Sequence, residues 1–164
     1  MHMWAIIVTV DDSLEQELSR FHEVLEARFG QDLVTVAVFG SRARDAATPE
    51  SDLDLLVVIR GLPRSRMKRR RLILPLVASV SAEFADTAIP VLLTPEEAAV
   101  VKPFYLGFLD GHRLLLDRGR FFHGVLERLK RRLEELGARR LTDEDGYSYW
   151  DLKPDYRLGE DVVL

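Results

Sequence analysis

The sequence predicts an α/β (α+β) domain in which a short mixed sheet is flanked by helices. Three observations carry that reading. Short β-branched runs alternate along the chain with segments whose apolar residues recur at helical spacing. The first two runs are separated by only about a dozen residues, which suits a short helical turn between neighbours better than a full crossover helix. A chain of 164 residues, 47% of them apolar and 30% charged, is enough for one packed core and too short for two comfortable domains.

The elements follow in order. Over residues 13–29, Leu14, Leu18, Phe21, Val24, Leu25 and Ala27 form a helical stripe between an N-cap, Ser13, and a C-cap, Gly30. Residues 33–39 (LVTVAVF) read as a buried strand closed by Gly40, and residues 52–59 (DLDLLVVI) as a second, ended by Arg60 and Gly61. A basic stretch from Pro63 passes into a helix over 72–84, with Pro75 as a kink or boundary. A third strand covers 89–93 (IPVLL). Thr94, Pro95, Glu96 and Glu97 then read as an N-cap with proline at the first helical position. The turn at Asp110 and Gly111 leads to a strand over 113–116. A long helix over 119–136 follows, with Phe122, Val125, Leu126, Leu129, Leu133 and Leu136 as its stripe and Gly137 as its cap. The aromatic and acidic tail reads as a closing strand or a strap over the core.

Composition excludes several function classes. The absence of cysteine removes a disulfide scaffold, a thiol nucleophile and any Cys-ligated zinc or iron–sulfur site. His2, His22, His112 and His123 have no metal-site spacing. The apolar run at residues 1–10 is short, lacks a basic n-region and cannot span a bilayer, so a soluble cytoplasmic protein with no membrane partner is expected. The net charge of −4 is a sum of unlike parts: −5 over residues 1–32, +6 over 33–140 and −5 over 141–164. A basic middle between acidic ends leaves phosphate-bearing ligands open.

The sharpest feature is Gly40 and Ser41, ten intervening residues, then Asp52-Leu53-Asp54. A glycine at a strand end admits close backbone approach to a ligand. The N–H groups of a helix start, the Ser41 hydroxyl, and Arg42 and Arg44 together would suit phosphate. Two acids two apart on a strand leave the same face of the sheet, about 7 Å apart along the chain. Converging carboxylates are costly unless they hold a cation, and oxygen ligands favour Mg²⁺ or Mn²⁺. A phosphate cradle facing such a pair is the equipment for phosphoryl or nucleotidyl transfer.

The stretch FGSRARDAATPESDLDLLVV (residues 39–58) resembles the signature of the nucleotidyltransferase superfamily with a DNA polymerase β-like fold, and most of all its minimal nucleotidyltransferases (MNT type). The resemblance implies one domain over 1–164, with its core over about 13–100 and a C-terminal extension over about 101–164. It implies transfer of a nucleoside monophosphate, AMP from ATP, to an acceptor hydroxyl. Gly40, Ser41, Arg42 and Arg44 would bind the triphosphate. Asp52, Asp54 and Ser41 would be catalytic, and the two aspartates would hold Mg²⁺ or Mn²⁺. Active members add a third carboxylate on a neighbouring strand, but residues 89–93 contain no acid; Asp86 is the nearest candidate metal ligand. That departure leaves an alternative: a catalytically degenerate nucleotide- or protein-binding module, antitoxin-like beside a HEPN-type helical partner.

Arg64, Arg66, Lys68, Arg69, Arg70 and Arg71 place six bases within eight positions. Their plain reading is a solvated helix face, with contact to triphosphate, RNA or an acidic partner as the functional one. RNA gains no support, because no aromatic residues interleave for base stacking. Tyr147, Tyr149, Trp150 and Tyr156 are expected to cover core or an oligomer contact.

Overall fold

The computed structural model describes residues 12–43, 48 and 51–164, so the apolar run at 1–10, Asp11 and Arg44 lie outside the described residues. Four strands form a mixed sheet, β1 (Leu33–Phe39), β2 (Leu53–Ile59), β3 (Ala88–Leu93) and β4 (Arg113–Asp117), in the order β3-β2-β1-β4. β1 pairs antiparallel with both β2 and β4, while β2 and β3 run parallel. The brevity of the β1–β2 connection dictates this, since only parallel neighbours need a long crossover. That crossover is built from α2 (Arg66–Ala78) and α3 (Ala82–Thr87).

Both faces of the sheet are covered, which is why β1 is buried at every position and reads as an unbroken apolar run. One face, with Val36, Val38, Leu55 and Val57, packs against Leu18, Phe21 and Leu25 of α1 (Asp12–Phe29) and Ile73, Val77 and Phe84 of α2 and α3. The other, with Val34, Ala37, Phe39, Leu56 and Val58, receives α4 (Pro95–Ala99), α5 (Leu106–Leu109) and α6 (Phe121–Leu136) through Ala98, Phe108, Phe122 and Leu126. A register shift between Leu33 and Thr35 lets Val34 and Ala37 share a face. β4 and α6 thus lie on the same sheet as the motif. Among the described residues no helix is long and apolar enough to cross a membrane.

Several boundaries differ from the sequence reading. α2 begins at Arg66, because Ser65 caps it by accepting from the Lys68 N–H, so the basic run lies inside the helix. Pro75 is accommodated within α2. The break comes at Ser79–Ser81 instead, where the Ser81 hydroxyl accepts from the Phe84 N–H and starts α3. α6 begins at Phe121 because Gly119 and Arg120 are left-handed, at φ +60° and +54°. The cap is Asp117, whose carboxylate accepts from the Phe122 and His123 N–H groups and also from the Thr35 hydroxyl of β1. The tail adds no strand to the main sheet. β5 (Arg139–Thr142) and β6 (Ser148–Asp151) pair with each other through a tight turn, and Trp150 packs against the α6-side core.

Candidate active site

The site is built where β1 ends and β2 begins. Antiparallel pairing sets Phe39 opposite Asp54, so Gly40 emerges beside the Asp54 side chain. Gly40 adopts φ +75°, and a Cβ there would collide with the Asp54 carboxylate. Two demands, a left-handed backbone and no side chain, thus fall on one residue, and only glycine meets both. Ser41–Ala43 continue as a single 3₁₀ turn closed by the Ala43 N–H on the Gly40 carbonyl at 3.3 Å.

The far end of the loop is tied back to this turn. Arg42 Nε donates to the Ser51 carbonyl at 2.8 Å, one residue before Asp52. Ser51 in turn donates its N–H to the Thr48 carbonyl at 3.0 Å. Part of the Arg42 guanidinium thus braces the motif loop. Leu53 is buried, Asp52 is exposed and Asp54 is half-buried. Burial, and then the neighbouring Asp52 charge, push the Asp54 carboxyl above its usual range. A carboxylate raised by both effects favours a positive partner at that spot. The donor set, two hard oxygen ligands and a glycine-lined approach, fits a divalent cation.

Among the described residues no third acid joins them. β3 places Ile89 in register with Asp54, and Ile89 is 46% exposed. Asp86 sits on α3 and is exposed. Among the described residues no group of three or more Asp, Glu or His side chains is arranged to hold a metal.

The family model described as a nucleotidyltransferase domain matches residues 18–102, just over half the chain, and spans both motif strands and β3. The chain belongs to the nucleotidyltransferase domain family. It is 29% identical over 141 residues to a Methanocaldococcus jannaschii protein whose name proposes protein adenylyltransferase activity; the match covers 85% of this chain and 96% of that one. Among solved structures it is similar to a toxin–antitoxin complex with AMP-PNP, at 13% identity and TM-score 0.47, covering 73% of this chain and 91% of that one. It is also similar to a chain of the complex of tri-AMPylated Shewanella oneidensis HEPN toxin with MNT antitoxin, at 11% identity and TM-score 0.41, covering 74% of this chain and 92% of that one. The four-stranded mixed sheet is thus the framework of a nucleotidyltransferase domain, a transferase of phosphorus-containing groups.

The basic run of this nucleotidyltransferase splits in two. Arg64, Arg66, Lys68, Arg70 and Arg71 are exposed, as expected of a solvated helix face. Arg69 is the correction: it is 8% exposed and held in a bidentate pair with Glu97 at 2.6 and 2.9 Å. Its guanidinium also donates to the Pro63 and Leu92 carbonyls at 2.6 and 3.1 Å. Glu97 completes a capping box with Thr94, and the Arg69 hydrogen bond pulls its carboxyl down to about 2. The sequence signal for Arg69 was its spacing of four from Ile73 and eight from Val77, the buried stripe of α2. In the tail, Tyr147, Tyr149 and Tyr156 are 73%, 50% and 51% exposed, so they do not cover core within this chain; only Trp150 packs inward.

Proposed function

We propose that this nucleotidyltransferase moves the AMP of ATP onto a hydroxyl of a protein side chain. The observation that carries it is the contact of Gly40 with Asp54, which brings a glycine–serine turn against a half-buried carboxylate with Asp52 beside it. Asp52 and Asp54 would hold Mg²⁺ or Mn²⁺, and Gly40, Ser41, Arg42 and Arg44 would receive the triphosphate. A bound divalent ion supplies charge neutralisation at the phosphorus under attack. The chain's own residues supply placement. Gly40 leaves room for a phosphate oxygen, the Ser41 hydroxyl offers a hydrogen bond to it, and the Arg42–Ser51 bond fixes the loop between them. Because β4 and α6 pack on the same sheet, the 13–100 core and the 101–164 extension are read as one domain.

A protein acceptor is supported by the name of the Methanocaldococcus jannaschii relative. A HEPN-type protein is the partner that the motif's resemblance implies. The test is incubation with ATP labelled at the α-phosphate, Mg²⁺ and candidate acceptors, comparing wild type with Asp52→Asn and Asp54→Asn. Label should appear on the acceptor with wild type alone. Equal labelling by the variants would sink the reading. Tight ATP binding by calorimetry with no transfer to any acceptor would replace it with a nucleotide-binding module.

A further inference from the structure

We propose that one acceptor hydroxyl is that of Tyr147 in a second copy of this chain, delivered when that copy's acidic hairpin tip settles into a cationic groove beside Asp54. This rests on the adenylyl-transfer reading and names its substrate.

The groove runs along the open edge of β3 and encloses about 790 Å³. That volume is in the range of ligand sites, and larger than one side chain fills. Its apolar part includes Phe104 and Ile89, and Ile89 is the residue paired with Asp54, so the groove adjoins the candidate active site. Arg66, Arg70 and Lys102 also line it. The one acid among its lining residues, Glu97, is paired with Arg69 and also feels the Lys102 charge, while among the described residues Arg66 and Arg70 have no ion-pair partner. The groove therefore presents two unpaired guanidinium groups, with Lys102 beside them, around an apolar floor.

The edge of β3 does not invite a fifth strand. Pro90 has no N–H, and the Leu92 carbonyl, two residues on and so on the same side of the strand, already accepts from Arg69. An occupant must be held by side chains.

The complementary surface is on the same chain. The turn joining β5 to β6 reads Asp143-Glu144-Asp145-Gly146-Tyr147, and all five residues are exposed. Three negative charges thus stand next to a tyrosine that is 73% exposed. The tip is preformed: Asp143 Oδ1 accepts from the Asp145 and Tyr147 N–H groups at 3.1 and 2.8 Å. Order before docking lowers the entropic cost of docking. At its base the hairpin is fixed by the Arg140–Asp110 ion pair and by Trp150, and none of its residues lines the groove. The tip is therefore supplied by a second molecule, acid against base.

In the transfer, the Tyr147 oxygen attacks the α-phosphorus of ATP. The new O–P bond forms as the bond to the bridging oxygen breaks, pyrophosphate leaves with that electron pair, and the phenol proton passes to solvent. The product is an adenylylated Tyr147.

The test mixes untagged wild type with a tagged Asp54→Asn copy, ATP labelled at the α-phosphate, and Mg²⁺. Peptide mass spectrometry is expected to place AMP on Tyr147 of the tagged copy, and Tyr147→Phe in that copy should abolish it. Arg66→Glu with Arg70→Glu in the wild-type partner should cut labelling about tenfold, through weaker docking. Sedimentation of the Asp54→Asn copy should show association at low salt that dissolves at high salt. AMP on a HEPN-type protein or a Glu–Tyr copolymer, with none on Tyr147, would overturn this inference and leave adenylyl transfer standing. No transfer to any acceptor would overturn both. Labelling of Tyr147 that ignores salt and the two arginine reversals would overturn the docking groove.

Discussion

Two places in this protein bring charge out of water, and they are resolved in opposite ways. At the β3–α2 junction, Arg69 is almost wholly buried, yet every direction it faces holds an acceptor: both Glu97 oxygens and the Pro63 and Leu92 carbonyls. At the β1–β2 end, Asp54 is half-buried with Asp52 nearby and no ion pair among the described residues. The first shifts a carboxyl down and supports the fold. The second shifts a carboxyl up and works against it. Charge that the fold satisfies by itself is architecture; charge that it leaves wanting a cation marks the place where a ligand belongs.

The largest test of this contrast is Gly40→Ala. The new methyl would need the space of the Asp54 carboxylate and would strain a φ of +75°. AMP transfer is expected to fall about 10²-fold or more, because displacing a reacting group by an ångström costs that much. Radiolabel transfer reads it directly, and near-normal rates would show that Asp54 is not part of the site.

Glu97→Ala comes next. It strands the Arg69 guanidinium and removes the capping box. Unfolding stability should drop by about 2 kcal/mol, less than for a fully buried pair because the Glu97 side chain is 40% exposed and screened by water. Transfer measured well below the melting temperature should persist. The same pair sets an acid limit. Glu97 lies at about 2 against an ordinary 4.5, so its contribution is complete above about 4.5 and is lost as pH falls through 2. Urea titrations of wild type and Glu97→Gln should therefore converge at the acid end.

A smaller and opposite effect is expected of Asp54→Asn without metal. Removing a charge that burial and Asp52 both disfavour should raise stability slightly at neutral pH, while transfer is lost. Wild type should gain thermal stability on adding Mg²⁺ and this variant should not. A metal-free Asn variant less stable than wild type would break the comparison. Smallest of all, Arg71→Ala on the exposed face of α2 should change stability by less than about 0.5 kcal/mol.

How much of this could be read from the residues depends on the range of the interaction. β1 and β2 carry their own signal, since a strand buried on both faces has to be apolar at nearly every position. Gly40 and the two aspartates were legible because a turn, a strand and a spacing of two are local. The fate of Arg69 was not, since its partner is 28 residues away and only the β2–β3 crossover brings Glu97 beneath it. The composition of the basic run likewise hid which of its members faced inward; spacing relative to Ile73 and Val77 held that answer. That residues 89–93 carry no acid was visible in the sequence, while the register that sets Ile89 beside Asp54 needed the fold.

Asp117 has a consequence that reaches the site from the far side of the sheet. One carboxylate grips the Thr35 hydroxyl midway along β1 and the first N–H groups of α6. β1 is the strand whose last residue hands the chain to Gly40, so the long helix acts as a stop against which that strand is indexed. A one-residue slip of β1 along its neighbours would have to break the Thr35 bond first. The position of Gly40 relative to Asp54 is in this way guarded by a side chain that touches neither.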